Sequence, residues 1–305
     1  MRAQVYHALR RTLSQNARNR IKRRIAYTRK QLAPVYRAVY GTFDARDLRN
    51  ELARHLPADA EIIMVHCSLN DLEPMYTATP RDLLEELIEL VGSDRTLAMP
   101  AFFFGEGEAD VAARYRSNPL FDARRQVSQM GVLSESFRRR KGVRRSLHPT
   151  HSVCALGPLA GLLTEGHHLA HTTFGEGTPF AVMASRRTAI IGIGTEYFRA
   201  LTQVHAVEDL LGDRYPLPIR PTAIPVQLKD FDGKLHSYQL RVADGTIERQ
   251  TSLLGHLLDR EELVQWTFHG VPLFATSAAR VTDVLTDAAL RGETIYEPMP
   301  IRSAP

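Results

Sequence analysis

Three stretches follow one another within forty residues: Glu61-Ile-Ile-Met-Val-His66, Thr79-Pro-Arg-Asp-Leu-Leu-Glu-Glu-Leu-Ile-Glu-Leu-Val91 and Thr96-Leu-Ala-Met-Pro100. The first is a short apolar run that ends in Cys67-Ser-Leu-Asn-Asp71, the pattern of a buried strand feeding a loop. The second carries a helix start signal, Thr79 at the cap with Pro80 at the first turn, and stops at Gly92. The third is again short and apolar, a second buried strand. Strand, helix, strand is the order of a parallel crossover, and it places the chain in the mixed α/β class.

Working outward, Thr188-Ala-Ile-Ile-Gly-Ile-Gly194 reads as a third strand ending in glycines. Helices are expected over Met130 to Arg140, His205 to Leu211 and Ala279 to Gly292, and antiparallel strands over 222–242 around the Asp232-Gly233 turn. Upstream, Leu32 to Leu56 is an amphipathic helical stretch broken at Thr42-Phe-Asp-Ala. No internal repeat or low-complexity linker interrupts the chain. The architecture expected is a mixed, largely parallel central sheet flanked by helices over residues 46–305, preceded by a basic helical arm over residues 1–45.

The net charge of +5 conceals an asymmetry. Residues 1–40 hold eleven Arg or Lys and no Asp or Glu, whereas the remaining 265 residues carry 28 basic against 34 acidic side chains, a charge of −6. The sequence pI near 9.3 therefore belongs to the arm, and it does not argue for a nucleic-acid partner. Val5, Leu9, Leu13, Ile21 and Ile25 repeat at spacings near four with basic residues between them. That pattern suits a helix lying on anionic lipid, a helix gripping a partner or a second copy, or a solvated arm; a transit peptide has a similar composition. No run approaches a membrane span, no apolar signal core follows the basic start, and two cysteines make no disulfide framework. A cytoplasmic protein is expected, in peripheral contact with the inner membrane if the arm lies on lipid.

The chemistry concentrates in Arg145-Ser-Leu-His-Pro-Thr-His-Ser-Val153 and Thr202-Gln-Val-His-Ala-Val-Glu208. Three residues are nearly one helical turn, so His205 and Glu208 share a face. A carboxylate beside an imidazole fixes its tautomer and stabilises the protonated ring, which a general base requires. A lone His-x-x-Glu is more often a solvated helix pair; here the company of the first motif argues otherwise. Gly105-Glu-Gly-Glu and Gly175-Glu-Gly-Thr lack the residues of a phosphate loop and read as turns. His148, His151, His167, His168, His171 and His205 could be recruited as metal ligands, but no zinc-site spacing is present, and no metal is expected. Ser68 and Ser152 lie outside any Gly-x-Ser-x-Gly elbow.

Taken in order, His66-Cys-Ser-Leu69, Leu97-Ala-Met-Pro-Ala-Phe102, Met130-Gly-Val-Leu-Ser-Glu135, Arg145 to Gly157, Phe174-Gly-Glu-Gly-Thr-Pro179, Ile191-Gly-Ile-Gly194 and Thr202 to Glu208 resemble the aminoglycoside 3-N-acetyltransferase family over roughly residues 50–300. The resemblance implies an enzyme that uses acetyl-CoA, or a related acyl-CoA, to acylate a sugar amine. It makes His205 the general base, Glu208 its orienting carboxylate and Thr202 their companion. Ser68, Leu69, Ser146, His148 and Ser152 then line the thioester and pantetheine region, with donors near Ser68 meeting the developing oxyanion. Cys67 departs from the family's paired serines, and Ala101 from a common threonine. Thr195-Glu-Tyr-Phe-Arg-Ala-Leu201 is more aromatic than the resistance enzymes' lead-in, and Glu208 to Pro216 looks like members tied to cell-surface polysaccharides.

The reading favoured is acylation of an amino sugar (free, nucleotide-linked or lipid-linked) in envelope glycan assembly. The alternatives are an aminoglycoside 3-N-acetyltransferase of antibiotic resistance, a non-catalytic glycan- or membrane-surface protein of the same fold, and a metal-dependent hydrolase. Cys67 and Cys154 also leave open a covalent acyl-enzyme route.

Overall fold

The computed structural model describes residues 15–105, 111–217, 221–243, 247–249 and 254–298. Its strands in chain order are β1 (Ile62–Cys67), β2 (Thr96–Pro100), β3 (Leu120–Asp122), β4 (Arg144–Arg145), β5 (Val153–Leu156) and β6 (Thr188–Ile193). They continue with β7 (Pro221–Lys229), β8 (Leu235–Ala243), β9 (Ile247–Arg249), β10 (Leu263–Phe268), β11 (Val271–Ser277) and β12 (Tyr296–Pro298). The principal sheet has seven strands in the order β10-β11-β6-β1-β2-β5-β4. β1 pairs in parallel with β2 and with β6, the crossover expected from sequence, while β11, β5 and β4 join antiparallel. Within this sheet the parallel pairing is thus confined to the three central strands.

β1 shows why its run is continuously apolar. Ile62 and Met64 enter the core on one face, and Ile63 and Val65 the core on the other. Helices α1 (Gln15–Gln31), α2 (Ala33–Tyr40), α3 (Ala45–Ala53), α4 (Pro80–Val91) and α5 (Val132–Arg139) precede the third central strand; α3, α4 and α5 cover the face of Ile63. Asp44, inside the expected break, caps α3, and Thr79 caps α4; each makes a reciprocal capping box. Helices α6 (Pro179–Ser185), α7 (Ala206–Leu211) and α8 (Ala278–Leu290) cover the opposite face, where Phe180, Val207, Val281 and Leu285 join Ile62 and Met64.

β3, β7 and β8 form a second sheet, with β7 and β8 antiparallel around the Asp232-Gly233 turn. It packs a third core on Phe103, Tyr115 and Leu147. β12 pairs antiparallel with β9, Tyr296 opposite Arg249. Val5, Leu9 and Leu13 of the arm lie outside the described residues. No helix among the described residues is long and apolar enough to cross a membrane.

Two glycines of Ile191-Gly-Ile-Gly194 are required by close approach. A side chain at Gly192 would enter the Phe274 ring. Gly194 has φ +66°, and a Cβ there would stand 2.5 Å from the Ser68 carbonyl oxygen. The end of β6 is therefore pressed against the loop that follows β1.

Candidate active site

A 3-10 turn, Thr202–His205, runs directly into α7 and carries His205 and Glu208 onto one face. Only the first turn departs from the expected helix, and the i,i+3 relation survives. His205 Nδ1 donates to Glu208 Oε1 at 2.9 Å, which leaves the lone pair of the neutral ring on Nε2. The Thr202 hydroxyl donates to the Ala200 carbonyl at 3.3 Å and so helps to open the turn. The imidazole keeps 20% and the carboxylate 14% of their side-chain exposure, enough to meet a ligand without being bathed in water.

Three further groups complete this centre, and none was singled out from sequence. The Tyr296 hydroxyl donates to the same Glu208 oxygen and lies 3.1 Å from His205 Nδ1. Phe174 stacks on the His205 ring, centroids 4.9 Å apart at 26°. The Phe174 backbone N–H donates to Asp209 Oδ2 at 2.7 Å, and burial raises the Asp209 carboxyl above its ordinary range. Phe174 lies inside a quoted motif and Asp209 follows Glu208, so local signals existed for both. Tyr296 reaches the site on β12, which pairs with β9 and is anchored by the buried Ile295, and no local pattern announces that placement.

The His-Pro-Thr-His loop joins this centre through rings. His151 packs edge-on against Phe174, centroids 4.8 Å apart, and against Phe104 at 5.2 Å, and tilts onto Phe102 at 5.0 Å. His148 stands next to His151, centroids 6.0 Å apart, and stacks on His167 at 4.5 Å. His148 Nδ1 accepts the backbone N–H groups of Thr150 (3.2 Å) and His151 (3.0 Å), so its proton belongs on Nε2. That Nε2 is buried and has no hydrogen-bond partner among the described residues. Burial, reinforced by His167 and His151, holds His148 well below the usual histidine range; burial brings His66 and His167 down to about 4. All three are neutral at pH 7.

The serines of the expected thioester region are committed to the fold. The Ser146 hydroxyl lies 2.9 Å from His167 Nδ1 and accepts from Val153 N–H at 2.9 Å, while His167 Nε2 is 3.2 Å from the Thr173 carbonyl. A single tautomer satisfies the chain: Ser146 donates to Nδ1 and Nε2–H donates to the carbonyl. Ser152 accepts from Arg145 Nε at 2.9 Å and donates to the Ala101 carbonyl at 2.9 Å. Arg145 is buried over Phe121 and also donates to the carbonyls of Ala101, Ala123 and Gln126. These hydroxyls therefore shape the loop, and among its buried side chains His148 retains an uncommitted donor.

Ser68 and Leu69 stand at the end of β1. The Ser68 hydroxyl donates to Asp71 Oδ2 at 2.6 Å, its N–H donates to the Ile193 carbonyl, and Leu69 packs on the core beneath. Asp71 also faces Arg199 at 3.8 Å, which ties this loop to the segment before His205. In that segment Tyr197, Phe198 and Leu201 are buried in the core of α6 and α8. Its aromatic character, read from sequence as a difference in acceptor recognition, is accounted for by packing.

Burial pushes both thiols up to about 12, with Asp71 adding to the effect at Cys67. Neither supplies thiolate near neutral pH, which disfavours the covalent route. Among the described residues, no cluster of three or more His, Cys, Asp or Glu side chains is placed to hold a metal ion.

An imidazole with its tautomer fixed by a carboxylate, partly exposed and backed by an aromatic wall, is suited to accept a proton from a nucleophile. The chain as a whole is similar to known proteins. An aminoglycoside N(3)-acetyltransferase III from Salmonella sp. is 30% identical over 167 residues, 51% of this chain and 57% of its own length. The chain thus spans little more than half the length of that curated relative. An aminoglycoside N(3)-acetyltransferase VII from Streptomyces paromomycinus is 28% identical over 222 residues, 65% of this chain and 76% of the relative.

Among solved structures, aminoglycoside acetyltransferase AAC(3)-Xa superposes with a TM-score of 0.71 at 19% identity, over 87% of this chain and 99% of that one. AAC-IIIb in binary complex with CoASH superposes with a TM-score of 0.67 at 22% identity, over 84% and 100%. The fold is thereby shared. The model of the aminoglycoside 3-N-acetyltransferase family matches residues 64–289, a span that holds His205, Glu208 and the His-Pro-Thr-His loop, and the chain belongs to that family.

Proposed function

We propose that the protein is an acetyl-CoA-dependent N-acetyltransferase whose acceptor is an amine of an aminoglycoside. The observation that carries the reading is the His205–Glu208 pair, 2.9 Å apart and inside the family match. Acetyl-CoA supplies the activated acyl group. His205 Nε2 takes the proton of the acceptor amine as its nitrogen bonds to the thioester carbon; the carbon–sulfur bond breaks and the imidazolium returns that proton to the departing sulfur, which leaves the ring neutral again. Glu208 holds the ring by Nδ1 and stabilises the imidazolium, and Tyr296 holds Glu208. The His148 Nε2–H, buried next to His151, fits a polar atom of the acyl donor, whereas the committed Ser146 and Ser152 contribute shape.

The acceptor class rests on two supports. The relatives are aminoglycoside acetyltransferases, and a solved neighbour is described as AAC-VIa bound to sisomicin. The body beyond residue 40 also carries a charge of −6, which favours encounter with a polycation. Burial of Tyr197 and Phe198 removes the main sequence argument against an aminoglycoside. The relatives lend no support to a place in envelope glycan assembly, so an aminoglycoside becomes the preferred acceptor.

The test is a thermal-shift screen with acetyl-CoA and longer acyl-CoAs, followed by mass spectrometry of mixtures with aminoglycosides and with amino-sugar nucleotides. Stabilisation by acetyl-CoA and a gain of one acetyl mass (~42 Da) on the aminoglycoside support the reading. No acyl-CoA binding by folded protein would leave the non-catalytic alternative, and acetylation of the amino-sugar nucleotide alone would overturn the acceptor assignment.

A further inference from the structure

We infer that α1 and α2 form a docking surface for an anionic lipid bilayer. Together they run as a nearly continuous helical rod; Tyr36 N–H still donates to the Leu32 carbonyl across the junction. One side of the rod is fastened to the body. Arg29 reaches the Asp71 carboxylate at 3.4 Å and the Asp71 carbonyl at 3.2 Å, Arg37 donates to the Pro74 carbonyl at 2.8 Å, and Tyr36 packs on the core beneath. At 3.6 residues per turn, Ile21, Ile25, Leu32, Val35 and Val39 fall on one line roughly a quarter turn from that fastened side. These five are between 41% and 68% exposed.

Five branched apolar side chains in one line, on helices fastened to a folded body at Arg29, Tyr36 and Arg37, make a surface that wants a cover. Charge says which cover. α1 contains seven Arg or Lys and no Asp or Glu, and exposed Arg20 and Arg24 flank the apolar line on the side away from the body. A second copy laid along the line would oppose two acid-free helices, with no carboxylate on α1 to pair across the seam. A purely polyanionic partner such as nucleic acid would answer the charge and leave the apolar line in water. An anionic bilayer answers both, its headgroups meeting the guanidinium groups while the apolar line enters the acyl boundary. The acid-free composition of residues 1–40, at +11, extends the same sign in sequence.

The experiment is flotation of the full-length protein with vesicles of phosphatidylcholine alone and with ~30% phosphatidylglycerol, at low salt and at ~0.5 M salt. The variants are Val35→Glu/Val39→Glu and Arg20→Glu/Arg24→Glu, which replace exposed side chains, with melting temperature as the control for folding. Binding is expected only to the phosphatidylglycerol vesicles, reduced about tenfold or more by salt and by either variant at unchanged melting temperature. Equal binding to neutral vesicles, or undiminished binding of the Val35→Glu/Val39→Glu variant, would overturn the inference. So would absence of vesicle binding, whether or not light scattering then reveals a dimer that this variant dissociates.

Discussion

Glu208→Gln is the most informative single change, because the side chain keeps its volume and loses only its charge. In the wild type, one oxygen of this carboxylate accepts from His205 Nδ1 at 2.9 Å and from the Tyr296 hydroxyl. A hydrogen bond to a charged group contributes about 1.5–3 kcal/mol, and each ~1.4 kcal/mol lost from transition-state stabilisation is a factor of ten in rate. If the carboxylate acts by holding the imidazole and stabilising its protonated form, turnover should fall roughly 10- to 150-fold. The Michaelis constant for acetyl-CoA should stay within about twofold, since the loss falls on the step and not on uniform binding.

Tyr296→Phe removes one of the two donors to the same oxygen, so its effect should be smaller, about 3- to 10-fold. The double variant should lose less than the product of the single losses, because the two share one acceptor. Release of free thiol from acetyl-CoA, followed continuously with saturating acceptor, gives both constants. Turnover of the Glu208→Gln protein within twofold of wild type, at an unchanged melting temperature, would refute the orienting role.

Other consequences are independent of that pair. The buried His66 and His167 take up protons only near pH 4 when folded, whereas the unfolded chain takes them up near 6.5. The unfolded state therefore binds more protons below 6.5, and stability falls with pH down to about 4; at pH 5.5 the two together remove roughly 3 kcal/mol. Asp209, raised by burial, opposes this toward the acid end. Melting temperature should drop steadily from pH 7 to 5.5, and a flat profile would contradict the burial argument. Gly194→Ala places a Cβ 2.5 Å from the Ser68 carbonyl at positive φ and should destabilise by about 2 kcal/mol or more in urea unfolding; a loss under ~0.5 kcal/mol would show that the loop yields freely. Cys67→Ser should retain turnover within about threefold, given a thiol pushed up to about 12, and loss of rapid acyl transfer onto the protein in that variant would restore the covalent route.

What could be read from the chain follows how local the cause is. The β1–α4–β2 crossover was legible because apolar runs, cap and stop signal all lie within forty residues, and the helix cap is at Thr79, where the pattern put it. The His205–Glu208 contact was legible for the same reason: three residues on a turn fix it whatever the rest of the chain does. Tyr296 was not, since it arrives from 91 residues away on a strand whose partner is itself remote.

The antiparallel flanks of the sheet were also hidden, because a buried strand reads the same in either direction and only the return of the 145–153 loop sets β5 against β2. Side chains able to serve two roles were the least legible. Ser146 and Ser152 carry hydroxyls fit for a ligand, yet each is occupied by a partner that only the fold supplies. Tyr197 and Phe198, read as a departure from the resistance enzymes' lead-in, fill the core.

The central claim is that His205 removes the acceptor proton in a direct transfer. Single-turnover measurement of His205→Ala with acetyl-CoA and an aminoglycoside, beside a calorimetric affinity for acetyl-CoA, tests it most directly. The account expects transfer slowed by roughly 10²–10⁴-fold with the affinity for acetyl-CoA preserved. Transfer at near wild-type speed in that variant would contradict it.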